Sequence, residues 1–418
     1  MSLIILILLS MFCLMWYSYT SKSIPFNCYI FVLIYGFSAA LGVVWTLFLG
    51  LDTLPFGVGA GVNTGDHVEA LLAFLLAMLG YLAGFKTLHR QEPPRHFVTN
   101  VNRRKSYRVT GAAGTLFIHL SLLISAIAFY ASYPDGGLYS RSEYLPNDIN
   151  RTLKSASQIM IFISVLLLMT KKGHKISKII WVIIIGCLFI GSASRSVLLV
   201  SAGYVFAKIS RNELTLKNSA VISIITIFAI VLVVDFRGQS PHGLAHYSLF
   251  EIDHGSLEAV TYVVNYLSSF SYGLTATLVS EIAYTESFFW IAVDPRPGFM
   301  TAWPNISELT RLNRFAPYNA ISELYCMGAH YLILYFYLAG VISGLSTSAS
   351  HRNHFFKIII TSVIFLFIIF SLQYNLRPAT RYIYLELALC VAFFGWNNVR
   401  LVTLLPRKHD EFLKKGMG

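Results

Sequence analysis

Stretches such as Val221–Val234 and Ile358–Ile369 carry little besides branched aliphatic and aromatic side chains, broken by one or two hydroxyls at a time. Runs of this kind recur along the whole chain. A helix must present about 20 mostly apolar residues to cross a hydrocarbon core ~30 Å thick. On that ruler the spans fall near 2–18, 27–50, 67–86, 110–131, 155–170, 178–193, 195–209, 218–236, 320–345, 357–374 and 381–399. Every backbone group must be satisfied inside lipid, so these eleven segments are expected to be helices. The expected fold class is all-α, a polytopic membrane helix bundle. It divides into eight spans over 1–236, a large outer loop over 237–319, and three spans with a basic tail over 320–418. Composition agrees: 56% of residues are hydrophobic, 12% are charged, and mean hydropathy is +0.62. A disordered chain, a coiled coil and a conventional soluble enzyme are excluded.

The first span, Ser2–Tyr17, has no basic n-region and no small-residue cleavage site, so it reads as a retained helix. The five cysteines, Cys13, Cys28, Cys187, Cys326 and Cys390, all lie in apolar stretches without paired spacing. They read as core residues, with neither a disulfide framework nor a zinc site.

The net charge of +12 resolves by side. One set of alternate loops, from Lys22 to the tail after Arg400, holds thirteen lysines and nine arginines against four acids, a balance of +18. The rest of the chain, ten basic against sixteen acidic residues, comes to −6. Basic loops stay in the cytoplasm, so the N-terminus is expected outside and the C-terminus inside. The excess therefore records topology, and no nucleic-acid partner is implied. Of the ten outer cations, nine are arginine: Arg141, Arg151, Arg195, Arg237, Arg296, Arg311, Arg314, Arg377 and Arg381. Arginine offers a planar, permanently charged fork suited to phosphate, so the outer face is expected to bind an anion.

Within the outer loop, Leu257, Val260, Val264, Leu267, Leu274, Leu278 and Ile282 recur at helical spacing. This predicts an amphipathic helix over 256–282, with a re-entrant segment as the rival reading. Gly191-Ser-Ala-Ser-Arg195 breaks an apolar run, where a helix N-terminus and Arg195 favour an anion. Asp235-Phe-Arg237-Gly238 ends the eighth span, and Asp235 is also a local partner for Arg237. Arg377 and Arg381, four residues apart around Pro378, share a face in the last outer hairpin. Glu323 sits about one turn inside the ninth span, where burial would raise its pKa and suit it to acid–base work. His330 lies seven residues deeper on the same face, where a packed, hydrogen-bonded histidine is the favoured reading. His242, His246 and His254 match no zinc signature, and no nucleotide-binding loop is present.

These features together resemble the bacterial O-antigen polymerases (Wzy type), which share an architecture with the O-antigen ligases. The carriers are Gly191-Ser-Ala-Ser-Arg195, Phe236-Arg237-Gly238, the long loop with Arg296, Pro317-Tyr-Asn-Ala-Ile-Ser-Glu-Leu-Tyr-Cys-Met-Gly328, and Arg377 with Arg381. Tyr318-Asn319 stands where ligases usually carry His-Asn, which favours polymerase. The resemblance implies a metal-independent, cofactor-free glycosyltransferase in the bacterial inner membrane. Its substrates would be undecaprenyl-diphosphate-linked oligosaccharides, with the bilayer lipid around it and a chain-length regulator and a flippase as partners. It assigns Arg195, Arg237, Arg377 and Arg381 to the diphosphate. Glu323, or His242 or His330, becomes the base, and Arg296, Arg314, Tyr318 and Asn319 hold glycan, with Trp303 and Tyr325 for stacking. A transporter of the same lipid-linked sugar is the competing class. It predicts charges deep within spans and a repeated half, and neither stands out in the sequence.

Overall fold

The computed structural model describes residues 2–21, 24–46, 58, 61–88, 112–143, 149–171, 175–194, 196–210, 216–238, 240–246, 270–279, 284–313, 316–350 and 354–393. A helix lies on each of the eleven apolar stretches. They are α1 (Ser2–Thr20), α2 (Phe26–Val44), α3 (Thr64–Leu88), α4 (Ala112–Ala131), α5 (Arg151–Thr170), α6 (Lys175–Gly191), α7 (Val197–Ser210) and α8 (Leu216–Gly238). After the short helices α9 (Phe270–Val279), α10 (Glu286–Val293) and α11 (Ala320–Met327) come α12 (Ala329–Ser350), α13 (His354–Gln373) and α14 (376–393). Among the described residues seven helices, α1 to α5 with α12 and α13, are long and apolar enough to cross a membrane. The protein is an all-α, multi-pass membrane bundle. Two contact-defined units make up the chain, one from residues 1–95 and 265–418, the other from 96–264.

In the first unit, α3 and α12 pack backbone to backbone. A Cβ on Gly84 would stand 1.9 Å from the Tyr337 carbonyl oxygen, one on Gly340 would stand 2.2 Å from the Tyr81 oxygen, and one on Gly80 2.9 Å from the Ile333 oxygen. Gly80 and Gly84 form a small-xxx-small step, as do Gly340 and Gly344, the pattern that lets membrane helices approach closely. Sequence position rises together along both helices, so they run parallel. α2 runs against α12, with Asn27 Nδ2 donating to Thr347 Oγ1 at 3.2 Å. At the middle of α2, Tyr35 pairs with Ser371 of α13 at 2.6 Å. Phe31, Tyr35, Tyr81, Phe336 and Phe367 stack into the aromatic core between these helices. α14 runs parallel to α12. Tyr335 pairs with Thr380 at 3.1 Å, and Ser343 Oγ donates to Glu386 Oε2 at 3.1 Å while Ser346 donates to Oε1.

The second unit alternates in the same way. Ser121 of α4 pairs with Ser164 of α5 at 2.8 Å, and Asn150 caps α5 by accepting from the Leu153 N–H at 3.0 Å. α6 runs parallel to α4, with Trp181 Nε1 donating to His119 Nδ1 at 2.8 Å.

Two sequence expectations change here. The stretch 320–345 is not one helix. Gly328 adopts φ +128° and ψ 144°, a conformation open to glycine, and separates α11 from α12. The periodicity over 256–282 also misleads. In its described part, α9, Leu274 and Leu278 are buried, but so are Ser271, Thr275 and Thr277, so the segment has no solvent face. Leu257, Val260, Val264, Leu267 and Ile282 lie outside the described residues.

Candidate functional site

α11 begins at Asn319, whose Oδ1 accepts from the Ser322 N–H at 2.8 Å, a side-chain N-cap. The same amide donates from Nδ2 to the Ser271 carbonyl at 2.7 Å and to Thr275 Oγ1 at 3.0 Å, tying α9 to the cap. α9 is held again at Tyr272, whose hydroxyl pairs with His67 Nδ1 at 2.9 Å. Beside them, Tyr318 packs with Val58, Phe270, Leu274, Leu278 and Ala316. Tyr318 and Asn319 are therefore core and cap residues, which corrects their expected role as glycan contacts.

Capping fixes the first turn of α11, and that turn carries Glu323 inward. Glu323 is fully buried, and its Oε2 accepts from the Leu376 N–H at 2.7 Å, at the N-terminus of α14. A carboxyl is favoured there by the helix dipole. Burial nonetheless pushes its pKa well above the usual carboxylate range, the bond to Leu376 opposing. Its Oε1 has no partner among the described residues. Glu323 thus ties α11 to the start of α14, and the burial and raised pKa expected of it are both present. A group whose folded pKa is raised stabilises the fold while protonated, and loses that contribution as pH rises toward the folded value. Glu323→Gln keeps the acceptor for Leu376 and removes the titration. The variant should lose less stability than the parent between pH 5 and 9, whereas Glu323→Ala should be less stable at every pH; thermal melts across that range decide it.

Arg377 follows directly. It is 3% exposed, and its guanidinium donates to the Ile291 carbonyl at 2.5 Å and to the Arg296 carbonyl at 2.7 Å. It lies over the Trp303 ring, 5.1 Å from the centroid. Tyr384 donates to the Val293 carbonyl, so Arg377 and Tyr384 together hold the negative C-terminal end of α10. The Arg377 Nε has no partner among the described residues, and no carboxylate lies within salt-bridge distance of it there. Arg381, one turn on, is exposed. The expected shared grip is modified accordingly. Arg377 is committed to α10 and its loop, and Arg381 is the open member. Arg296 is exposed and bound bidentately by Asp294, with Nη2 to Oδ2 at 2.6 Å. That partner holds the Asp294 carboxyl down to about 2.

α10 also reaches α12, through Phe289 and Tyr331 with ring centroids 5.1 Å apart. His330 is exposed at the start of α12, its ring 4.4 Å from that of Tyr331. The break at Gly328 sets it on a different helix from Glu323, so the two do not share a face. Trp303 and Tyr325 are half-buried.

In the second unit His242 is buried. It exchanges backbone hydrogen bonds with Arg141, both 2.8 Å, and its Nδ1 faces the Phe236 carbonyl at 3.3 Å. Burial, with Arg141 nearby, lowers its pKa. It joins two loops through these bonds and is buried, so it is less open than His330. Arg141 donates to the carbonyls of Gly137 and Gly191, both 2.8 Å, and so fixes the turn after α6. In that turn Ala193 takes φ +47°, and the Ser196 N–H donates to Ser194 Oγ at 3.2 Å. The first turn of α7 is thus partly capped by the chain itself. Arg195 and Arg314 lie outside the described residues, as do the side chains of Asp235 and Arg237.

Sequence reasoning missed Glu386, a fully internal acid on α14; its signal was a carboxylate inside an apolar run. It also missed the glycine pairs of α3 and α12, legible as two GxxxG steps. Among the described residues no group of three metal-ligating side chains gathers. Compared with known protein families, curated proteins and solved structures, the chain matches none.

Proposed function

We propose that this chain polymerises lipid-linked oligosaccharides on the outer face of the bacterial inner membrane. It would move the glycan of an undecaprenyl-diphosphate-linked donor to the sugar end of a second such unit. The supporting observation is one small helix, α10, with Arg377 on its C-terminal carbonyls, Arg381 one turn away, and the exposed His330 beside Tyr331 on its other flank. In this reading an acceptor hydroxyl oxygen attacks the donor's anomeric carbon, and the carbon–oxygen bond to the diphosphate breaks with its electrons leaving on oxygen. His330, the one exposed member of the three candidate bases, takes the hydroxyl proton. Arg381, with the field of Arg377, stabilises the charge developing on the diphosphate. Arg296, with Asp294, lies on the glycan side.

In this reading the chain crosses eleven times, with the N-terminus periplasmic and the C-terminus cytoplasmic. The parallel run of α3 and α12 supports an odd number of crossings between them, which five crossings over α4 to α8 would give.

A transporter is the second reading, and Glu386 favours it, because an acid deep in a span is a usual mark of a translocation path. Cells lacking the protein separate the two. Surface glycan shortened to single repeats is the expected result for the polymerase; intact units trapped on the cytoplasmic side would transfer the assignment to transport.

A further inference from the structure

Glu386 is 1% exposed and lies ten residues, ~15 Å, along α14 from Leu376, about halfway through a hydrocarbon core of ~30 Å. Ser343 Oγ donates to its Oε2 at 3.1 Å, and Ser346 Oγ is paired with its Oε1. The titratable groups facing it are Tyr81 of α3 and Cys390, one turn further along α14, with Cys28 of α2 beyond Tyr81. α12 and α13 bring none that reaches it, and no charged side chain does so among the described residues. A carboxylate enclosed in this way, without a counter-charge, is strongly disfavoured by desolvation.

Counting protons gives the alternative. Ser346 has one hydroxyl proton but two acceptors, Glu386 Oε1 and the Ser343 carbonyl at 3.2 Å. With Oε1 protonated, the carboxyl donates to Ser346 Oγ, Ser346 donates to the Ser343 carbonyl, and Ser343 donates to Oε2. Every proton then has an acceptor. A spare donor stands beside this chain. The Tyr81 hydroxyl is fully buried and lies beside Ser343, yet it completes no hydrogen bond among the described residues. An orphaned buried hydroxyl is uncommon in a packed protein. Once the proton leaves Glu386, Ser346 turns its hydroxyl onto Oε1 and Tyr81 donates to Ser343 Oγ, so a second complete arrangement exists.

The way out is polar as well. Ser346, Thr347 and Ser350 are buried on one face of α12 and reach its last residue, with Asn27 of α2 bonded to Thr347 at 3.2 Å. We propose that Glu386 is a proton-binding site: its carboxyl takes up and releases a proton through the buried hydroxyls of α12, and Tyr81 and the two serines exchange hydrogen bonds as it does so. Nothing at α10 is needed for this, so the site stands under either reading of the outer face.

The test is infrared difference spectroscopy of the full chain in nanodiscs while the buffer steps between about pH 5 and about pH 10. A protonated carboxyl has a C=O stretch well apart from the bands of a carboxylate. The expected result is such a band that disappears and returns with pH, is lost in Glu386→Gln and persists in Glu323→Gln. Ser346→Ala keeps the acid and removes its partner, so it should shift the same band; this reads the site even where Glu386→Gln does not fold. A Glu386 band that no pH step moves would make the acid a fixed strut, and the absence of any Glu386-dependent band would make it a carboxylate. Either result overturns the proton site. Loss of the band on adding sodium ions at constant pH would overturn it too, giving the site to a metal cation.

Discussion

Gly84→Ala is expected to abolish the folded protein. The added methyl would stand 1.9 Å from the Tyr337 carbonyl oxygen, and that atom is backbone, so no rotamer change relieves the contact. Ordinary overpacking costs ~1–3 kcal/mol. Here α3 and α12 must separate, which also opens the stack of Phe31, Tyr81 and Phe336 behind them. Glycine at 340 meets the same limit from the other helix, 2.2 Å from the Tyr81 oxygen. The control is Gly186→Ala on α6, where a Cβ meets nothing within 4 Å. Detergent-extracted yield and melting temperature should collapse for Gly84→Ala and stay at parental values for Gly186→Ala. Equal behaviour of the two would show that the close crossing is not needed.

Arg377→Ala should remove long glycan chains completely. Two losses coincide in that variant. The carbonyls of Ile291 and Arg296 lose their donors, and the end of α10 loses its cation. Truncating one partner of a buried charged hydrogen bond costs ~1.5–3 kcal/mol or more, enough to loosen α10 without unfolding six packed helices. Arg377→Lys should rescue poorly, because an ammonium cannot reach two carbonyls in a fixed fork while lying on Trp303. A ladder assay of surface glycan checks both; a normal ladder in Arg377→Lys would mean that charge alone suffices.

Much of the helical layout was open to reading, because lipid forces a long, apolar signature on each crossing. The eleven stretches each carry a helix, and the described boundaries shift by a few residues except at the ninth, whose long helix starts at Ala329. What failed was whatever depended on tertiary surroundings. The 256–282 periodicity pointed to a surface helix, yet α9 is enclosed, and its Thr275 and Thr277 turn their hydroxyls to their own backbone at 2.9 and 2.8 Å. That satisfaction is invisible in a residue pattern. Glu323 is legible as a buried acid, but its acceptor role toward Leu376 joins residues far apart in sequence and cannot be read from either alone. Arg377 and Arg381 were found as a pair, whereas which of them turns inward depends on where α10 ends. Gly328 was noted only as part of a motif; its left-handed backbone decides where the span begins.

The glycine seam has a consequence for how the chain is made. α3 leaves the ribosome about 250 residues before α12, a delay of ~12–50 s at ~5–20 residues per second. Through that interval Gly80 and Gly84 offer a bare backbone groove with no native occupant. A groove of this shape accepts other small-residue helices, so the newborn α3 is the segment most in need of an escort, whether an insertase or its own neighbours α1 and α2.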